Sequence, residues 1–302
     1  MSAHTIERSE ICAVVVTYFP RPGCAENLAA IAPQVGRLVI FDNGSSAESL
    51  APVEAAAQQL GATITRFRSN LGIAAALNGG LRFAREHGYR WLATFDQDSR
   101  CTPGMIEEMA RAFKSHPQPQ TVAIVSPCHV DRRLGFTIRE RGSEASGEGW
   151  RIIPSTMTSG NLLNVGIATA VGGFDDSLFI DYVDHELCLR LRSHGYRILE
   201  ATRARLLHSL GSIERRLFLF TRVTVTNQPV VRHYYRTRNR LIVWRQYWKR
   251  EPVWAIRDVR RFLLETVCVV LYERQVRAKV PMIVRGLRDG LRNIRGAFDP
   301  GR

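Results

Sequence analysis

No stretch of this 302-residue chain is apolar over the roughly 20 residues that a membrane-spanning helix needs. The longest apolar run near the end, Phe262 to Tyr272, covers 11 residues and contains Glu265. The N-terminus, MSAHTIERSEIC, lacks the basic and apolar regions of a secretory signal, so none is expected. Cysteine is sparse and unpatterned: Cys12, Cys24, Cys101, Cys128, Cys188 and Cys268 form no C-x-x-C pair. That argues against a disulfide framework or a zinc site, and for reduced, mostly buried thiols in a cytosolic protein. Acids are scarce from Arg203 onward, where 7 Asp/Glu face 23 Lys/Arg, a net of +16. The residues before Arg203 carry a net of −2, so the basicity belongs to one region. There is no internal repeat or low-complexity segment.

What is present suits a globular protein: 45% of residues are hydrophobic and 23% charged. The first 125 residues alternate two periods. Continuous apolar runs at ICAVVVTY, RLVIFDN, ATITRFR, YRWLATFD and TVAIVSP read as buried strands. Between them lie helical patterns, one ending at Gly61, one stopped by Gly88 and one opened by Pro103. Strands alternating with helices imply an α/β fold with a mostly parallel sheet flanked by helices. Residues 128–153, rich in Gly, read as a hairpin plus a mobile loop. A helix is expected from near Asp184 to near Gly195. From about Gln228 the chain reads as helical to its end, with breaks at Pro252 and Pro281. The expected division is a catalytic domain over 1–227 and a basic amphipathic helical extension over 228–302.

In open parallel α/β sheets, ligands bind beyond the carboxyl ends of the strands. Polar residues stand at each such end here: Thr17; Asp42-Asn43-Gly44-Ser45; Arg68-Ser69-Asn70; Asp96-Gln97-Asp98. Singly, each is also an ordinary turn or cap residue. The Asp96-x-Asp98 pair, where an apolar strand becomes a loop, suits a hard divalent cation shared with substrate phosphates.

The ordered set VVVTYFP, FDNGS, RSNLGIAAALNGGL, FDQDS, TSGNLLN, GGFDDSLFIDYVDHELCLRLRSHGYRI and LLHSLG resembles glycosyltransferase family 2 over about residues 11–245. Within that family it looks most like bacterial rhamnosyltransferases that use dTDP-L-rhamnose. The resemblance implies a GT-A fold, a nucleotide-sugar donor, Mg²⁺ or Mn²⁺, and inversion at the anomeric carbon. It implies that Thr17, Tyr18, Asp42, Asn70, Gly72, Asp96 and Gln97 line the donor site. Asp96 and Asp98 match the metal- and diphosphate-binding pair. Asp184 matches the catalytic base, although Val183 stands where the family usually has a second acid; Asp181 and Glu186 are candidates to replace its charge. His208 matches a metal-binding histidine of the related galactofuranosyltransferases. His185 is a first-turn residue or an acceptor contact. Asp184 also suits the N-cap of its helix, and His208 a structural role.

The chemistry asks for the same residue types. Sugar transfer needs a carboxylate to take the acceptor's proton and a cation to offset charge on the departing diphosphate. The leading expectation is an inverting rhamnosyltransferase that builds O-antigen, capsule or exopolysaccharide on a lipid-linked or polysaccharide acceptor. The rivals are another donor such as UDP-galactofuranose, a metal-dependent nucleotidyltransferase, and a nucleic-acid-binding protein. No helix-turn-helix, zinc-finger or RNA-binding signature accompanies the basic tail, so no nucleic-acid partner is expected. The tail interleaves Arg with aromatics, and Trp254, Val259, Phe262, Leu263, Val267, Val270 and Leu271 can share an apolar side. The bland reading is a solvated face on packed helices. The sharper one is peripheral contact with an anionic membrane, at the inner face of the plasma membrane. An oligomer is compatible with the sequence.

Overall fold

A computed structural model of the chain describes residues 5–132, 135, 137–138, 144–208, 214–218, 221–225 and 227–301. Its elements begin with β1 (Ile11–Thr17), α1 (Cys24–Ile31), β2 (Arg37–Asp42), α2 (Ala47–Leu60), β3 (Thr63–Arg66), α3 (Ile73–Glu86), β4 (Trp91–Asp96), β5 (Arg100–Cys101) and α4 (Met105–Ser115). There follow β6 (Val122–Asp131), β7 (Thr137–Ile138), β8 (Ala145–Gly147), β9 (Trp150–Ile153), β10 (Asn161–Asn164), α5 (Val165–Ala170), α6 (Val183–Ser193) and β11 (Arg197–His208). The last elements are β12 (Glu214–Phe218), β13 (Thr221–Val225), α7 (Val230–Tyr247), α8 (Pro252–Tyr272) and α9 (Val276–Leu291). They fall into two compact units: Met1–Asp176 with Val183–Ser209, and Ser177–Tyr182 with Leu210–Arg302.

The first unit is a mixed sheet in the order β3-β2-β1-β4-β10-β6-β11-β9-β8, with β5 on β11 and β7 on β6. All seven residues of β1 are buried, as a strand covered on both faces requires. β1 pairs in parallel with β2 and β4, and β2 with β3. The NLLN stretch supplies β10, antiparallel to both β4 and β6, and β11 runs parallel to β6. The two reversals cancel, so β1, β2, β4, β6 and β11 all end on one edge of the sheet.

Close packing on that sheet depends on a glycine pair in α3. A Cβ at Gly79 would lie 2.5 Å from the Phe41 ring, and one at Gly80 2.7 Å from Val14. Both approaches are closer than carbon atoms tolerate, so only glycine lets α3 lie this near β1 and β2. The expected hairpin between residues 128 and 153 is β8–β9, and β7 folds back on β6. The expected mobile loop falls mainly on residues 133–134, 136 and 139–143, which lie outside the described residues.

The second unit contains α7, α8, α9 and the β12–β13 hairpin. Pro252 sits in the first turn of α8, as expected, but Pro281 does not break the chain: it lies inside α9. Packing against α7 outweighs the one helical hydrogen bond that Pro281 removes. Gly286 and Gly290 bring α9 onto the α7 backbone, where a Cβ would meet Tyr234 O at 2.7 Å and Arg238 O at 2.9 Å. Phe179, Asp181 and Tyr182 all take left-handed φ values, 66°, 63° and 65°. The buried Asn239 of α7 holds this segment, its Nδ2 lying 2.8 Å from the carbonyl oxygens of Leu178, Ile180 and Asp181. Such surroundings are what keep strained backbone in place. Among the described residues, no helix is long and apolar enough to cross a membrane.

Candidate active site

Strand register sets the site's floor. Thr17 pairs with Asp42, and Val16 with Asp96, so the ends of β2, β1 and β4 lie side by side. Asp42 is fully buried and pinned: Thr17 Oγ1 and Ser45 Oγ donate to its Oδ1 at 3.0 and 2.5 Å, and Ser45 N donates to its Oδ2 at 2.8 Å. Ser45 Oγ in turn accepts from Phe19 N. Beside it, Asn43 ties β2 to the next loop, accepting from Leu71 N at 2.8 Å and donating to Gly72 O at 3.0 Å. Asn70 Oδ1 accepts from Gly72 N, and Gly72, at φ 90°, turns the chain into α3. A side chain there would be strained, which explains the glycine. Tyr18 is exposed at the rim, edge-on to Phe19. The Gln97 amide is occupied by the Tyr18 backbone, accepting from its N at 2.8 Å and donating to its O at 3.2 Å. Gln97 thus couples the end of β1 to the Asp96–Asp98 loop.

The acidic pair meets His208. His208 ends β11 opposite Asp131 of β6, and β5 pairs Arg100 with Leu207. That short antiparallel contact folds the loop after β4 onto the end of β11. One ligand atom each from Asp96, Asp98 and His208 lies within 4.8 Å of the others, and His208 Nδ1 is 3.7 Å from Asp98 Oδ1. Two carboxylates and an imidazole form a donor set that fits Mn²⁺ or Mg²⁺, the imidazole favouring the transition metal. Behind them runs a hydrogen-bonded chain. Ser159 Oγ accepts from Asp96 N at 3.0 Å and donates to Ser99 Oγ at 2.7 Å, and Ser99 Oγ lies 2.8 Å from His208 Nδ1.

His129 of β6 supports the same loop. Its Nε2–H donates to Ser159 O at 2.7 Å, which makes it the neutral Nε2 tautomer. Burial pushes its pKa down to about 4; the Ser159 hydrogen bond and the Asp184 charge raise it, while His208 lowers it. His129 therefore feels both His208 and Asp184.

Asp184 lines a small cavity with Thr94, Thr156, Thr158, Asn161 and Cys188. α6 begins at Val183, so Asp184 stands inside the first turn and not at the N-cap; its Oδ1 accepts from His185 N at 2.8 Å. A carboxylate is favoured there by the helix dipole. Glu186 is buried and paired with Arg190 at 2.6 Å, and Arg190 also donates to Val171 O and Gly173 O. That group anchors α6. His185 is half-buried. Asp181 belongs to the second unit, where Arg232 grips both its oxygens at 2.8 and 2.6 Å. Sequence reasoning placed Asn43 and Ser45 at a strand end without giving them a role, and did not single out Ser99, Ser159 or His129. Ser99 and Ser159 stand inside FDQDS and TSGNLLN, whereas His129 carries no local signal.

An open α/β sheet with an acid pair and a histidine gathered at its carboxyl edge defines a GT-A-type protein. A family model for glycosyl transferase family 2 matches residues 12–174, and the chain belongs to that family and is a glycosyltransferase. It is 26% identical, over 95% of its length and 97% of the relative's, to the dTDP-rhamnosyl transferase RfbF of Shigella flexneri. Among solved structures it is similar to GalNAc-T7 with UDP, GalNAc and Mn²⁺, at a TM-score of 0.62 and 10% identity. That likeness covers 97% of this chain but only 57% of the GalNAc-T7 chain. It is also similar to the mannosyltransferase PcManGT of Pyrobaculum calidifontis with GDP-Man and Mn²⁺, at a TM-score of 0.55, 14% identity, and 94% and 87% coverage.

Proposed function

We propose that this chain is an inverting rhamnosyltransferase. It transfers L-rhamnose from dTDP-L-rhamnose to a lipid-linked or growing saccharide acceptor in cell-surface polysaccharide synthesis, at the inner face of the plasma membrane. Similarity to RfbF along almost the whole of both chains carries this reading. The convergence of Asp96, Asp98 and His208 at one sheet edge supports it.

The donor lies along the ends of β1, β2 and β4. Thr17, Asp42 and the Asn70–Gly72 turn shape the nucleoside pocket, and exposed Tyr18 offers a ring at its rim. Asp96, Asp98 and His208 would hold Mn²⁺ or Mg²⁺, which when bound offsets the charge gathering on the leaving diphosphate. Asp184 takes the proton of the acceptor hydroxyl. The acceptor oxygen bonds to the anomeric carbon as the bond to the diphosphate oxygen breaks, and dTDP departs with that electron pair. A single back-side displacement inverts the anomeric carbon.

The test is transfer or donor hydrolysis by the full chain with Mn²⁺ across dTDP-L-rhamnose, UDP-galactofuranose, UDP-GlcNAc and GDP-mannose. Turnover confined to dTDP-L-rhamnose is expected. Preference for any other donor overturns the rhamnose assignment. Metal-dependent dTDP binding unchanged in both Asp96→Ala and Asp98→Ala removes the donor site as drawn.

A further inference from the structure

The second unit carries a helix face that its own packing leaves uncovered. On α8, Ile256, Leu263, Leu264, Val267, Val270 and Leu271 are 38–59% exposed. At 100° per residue they fill an arc of about 120° along a helix roughly 30 Å long. This is not the whole face expected from the sequence. Trp254, Val259 and Phe262 are half-buried, and Phe262 meets Trp244 edge-on while lying 5.0 Å beneath the Arg240 guanidinium.

Charge decides what can cover the arc. Both acids of α8 are engaged on its packed side. Asp258 is buried against Tyr182, Arg240 and Trp244, and the half-buried Glu265 is paired with Arg236, Arg240 and Arg261. The exposed face therefore holds no negative group. Arg260 falls in the middle of the arc and Arg257 at its flank; both are exposed, and neither has an acidic partner among the described residues. A second copy docked face to face would set arginine against arginine, which costs affinity. An uncharged apolar partner would bury the Arg260 guanidinium without a counter-ion. An anionic lipid surface meets both demands, because the aliphatic arc enters the acyl boundary and the guanidiniums stay among the phosphates.

We propose that α8 is the membrane-docking surface, lying in the plane of an anionic bilayer with this arc inserted. The inference rests on the membrane placement given above and deepens it; the donor and base assignments do not depend on it. The test is flotation of the full-length chain with two kinds of vesicle: phosphatidylcholine alone, and phosphatidylcholine with phosphatidylglycerol. Each is measured at about 0.1 M and about 1 M salt, where the screening length falls from about 10 to 3 Å. Binding to the anionic vesicles at low salt and release at high salt are expected. Combining Arg257→Gln with Arg260→Gln should weaken low-salt binding about 30-fold. Combining Leu263→Gln, Val267→Gln and Val270→Gln should weaken low-salt binding at least about tenfold. All five positions are exposed, so the melting temperature and dTDP binding should stay as in the parent chain. Lost dTDP binding with intact vesicle binding would count against the donor reading alone. Absence of anionic-vesicle binding, equal binding to neutral vesicles, or parental binding by both variants overturns the proposal. So does a dimer in solution that the triple Gln variant dissociates, since the occupant is then a second copy.

Discussion

Ser99 Oγ lies 2.8 Å from His208 Nδ1, a contact made across 109 residues of chain. It exists because β5, two residues long, pairs with β11 and delivers the FDQDS loop to the strand's end. Ser159 supports Ser99 from behind, so the imidazole is oriented before any cation arrives. Partners of this kind typically change metal affinity 10–100-fold. Ser99→Ala should therefore lower apparent Mn²⁺ affinity in the presence of dTDP by about that factor. Titration of Mn²⁺ against bound dTDP reads it. Unchanged affinity would mean that His208 needs no such orientation.

Asp184→Asn keeps the side chain's size but cannot accept a hydroxyl proton. Turnover should fall by at least about 10²-fold, with dTDP affinity close to normal. Because Asp184 is not at the N-cap of α6, thermal stability should scarcely change. Near-normal turnover would end its assignment as base. Glu186 is then a weak substitute, since Arg190 already claims its carboxylate.

The arginines of the basic tail differ sharply. Asp258 accepts from Tyr182 OH at 2.7 Å, from Arg240 Nε at 3.0 Å and from Trp244 Nε1 at 2.8 Å, all inside the second unit. Removing it takes an acceptor from buried Tyr182 and Arg240 and from half-buried Trp244, and leaves Arg240 with Glu265 as its acidic partner. Asp258→Ala should cost about 3–5 kcal/mol, whereas Arg260→Gln, on the exposed face, should stay within about 0.5 kcal/mol. Chemical denaturation of the two variants compares them directly. Equal, small effects would show that the network is not needed for folding.

The strand ends were legible because continuous apolar runs stop abruptly at Thr17, Asp42 and Asp96, and parallel register then sets them side by side. The reversal at β10 was not. Four residues, three of them buried, carry no period long enough to give a direction. His129 was invisible for a related reason: a histidine in a ten-residue strand declares neither its burial nor its partner, and Ser159 is 30 residues away. On α8 the apolar spacing was plain, yet it fitted more than one side of the helix. Only packing turned Phe262 inward and Leu263 outward. In α7 the alternation of Arg236, Arg238 and Arg240 reads as solvated charge. Two of the three find acids on α8, and Arg238 is fully buried against the carbonyl oxygens of Leu178 and Gly296. Partners that lie on another element leave no mark in local spacing.

His129 gives the site a defined acid limit. It is almost fully buried, and burial holds its pKa down at about 4 against the ordinary 6.5. In the unfolded chain it would protonate near 6.5. Between the two values the unfolded state binds more protons than the folded one, so stability falls as pH drops through this window. Above pH 6.5 the residue contributes no pH dependence, and below about 4 the penalty is complete, on the order of 3 kcal/mol. His129→Gln retains a donor for Ser159 O and removes the titration. The variant's melting temperature should therefore vary less between pH 6.5 and pH 4 than the parent's, with the two profiles parallel above 6.5. Thermal unfolding across that range measures the difference. Parallel profiles throughout would show that His129 is not the group responsible for acid sensitivity.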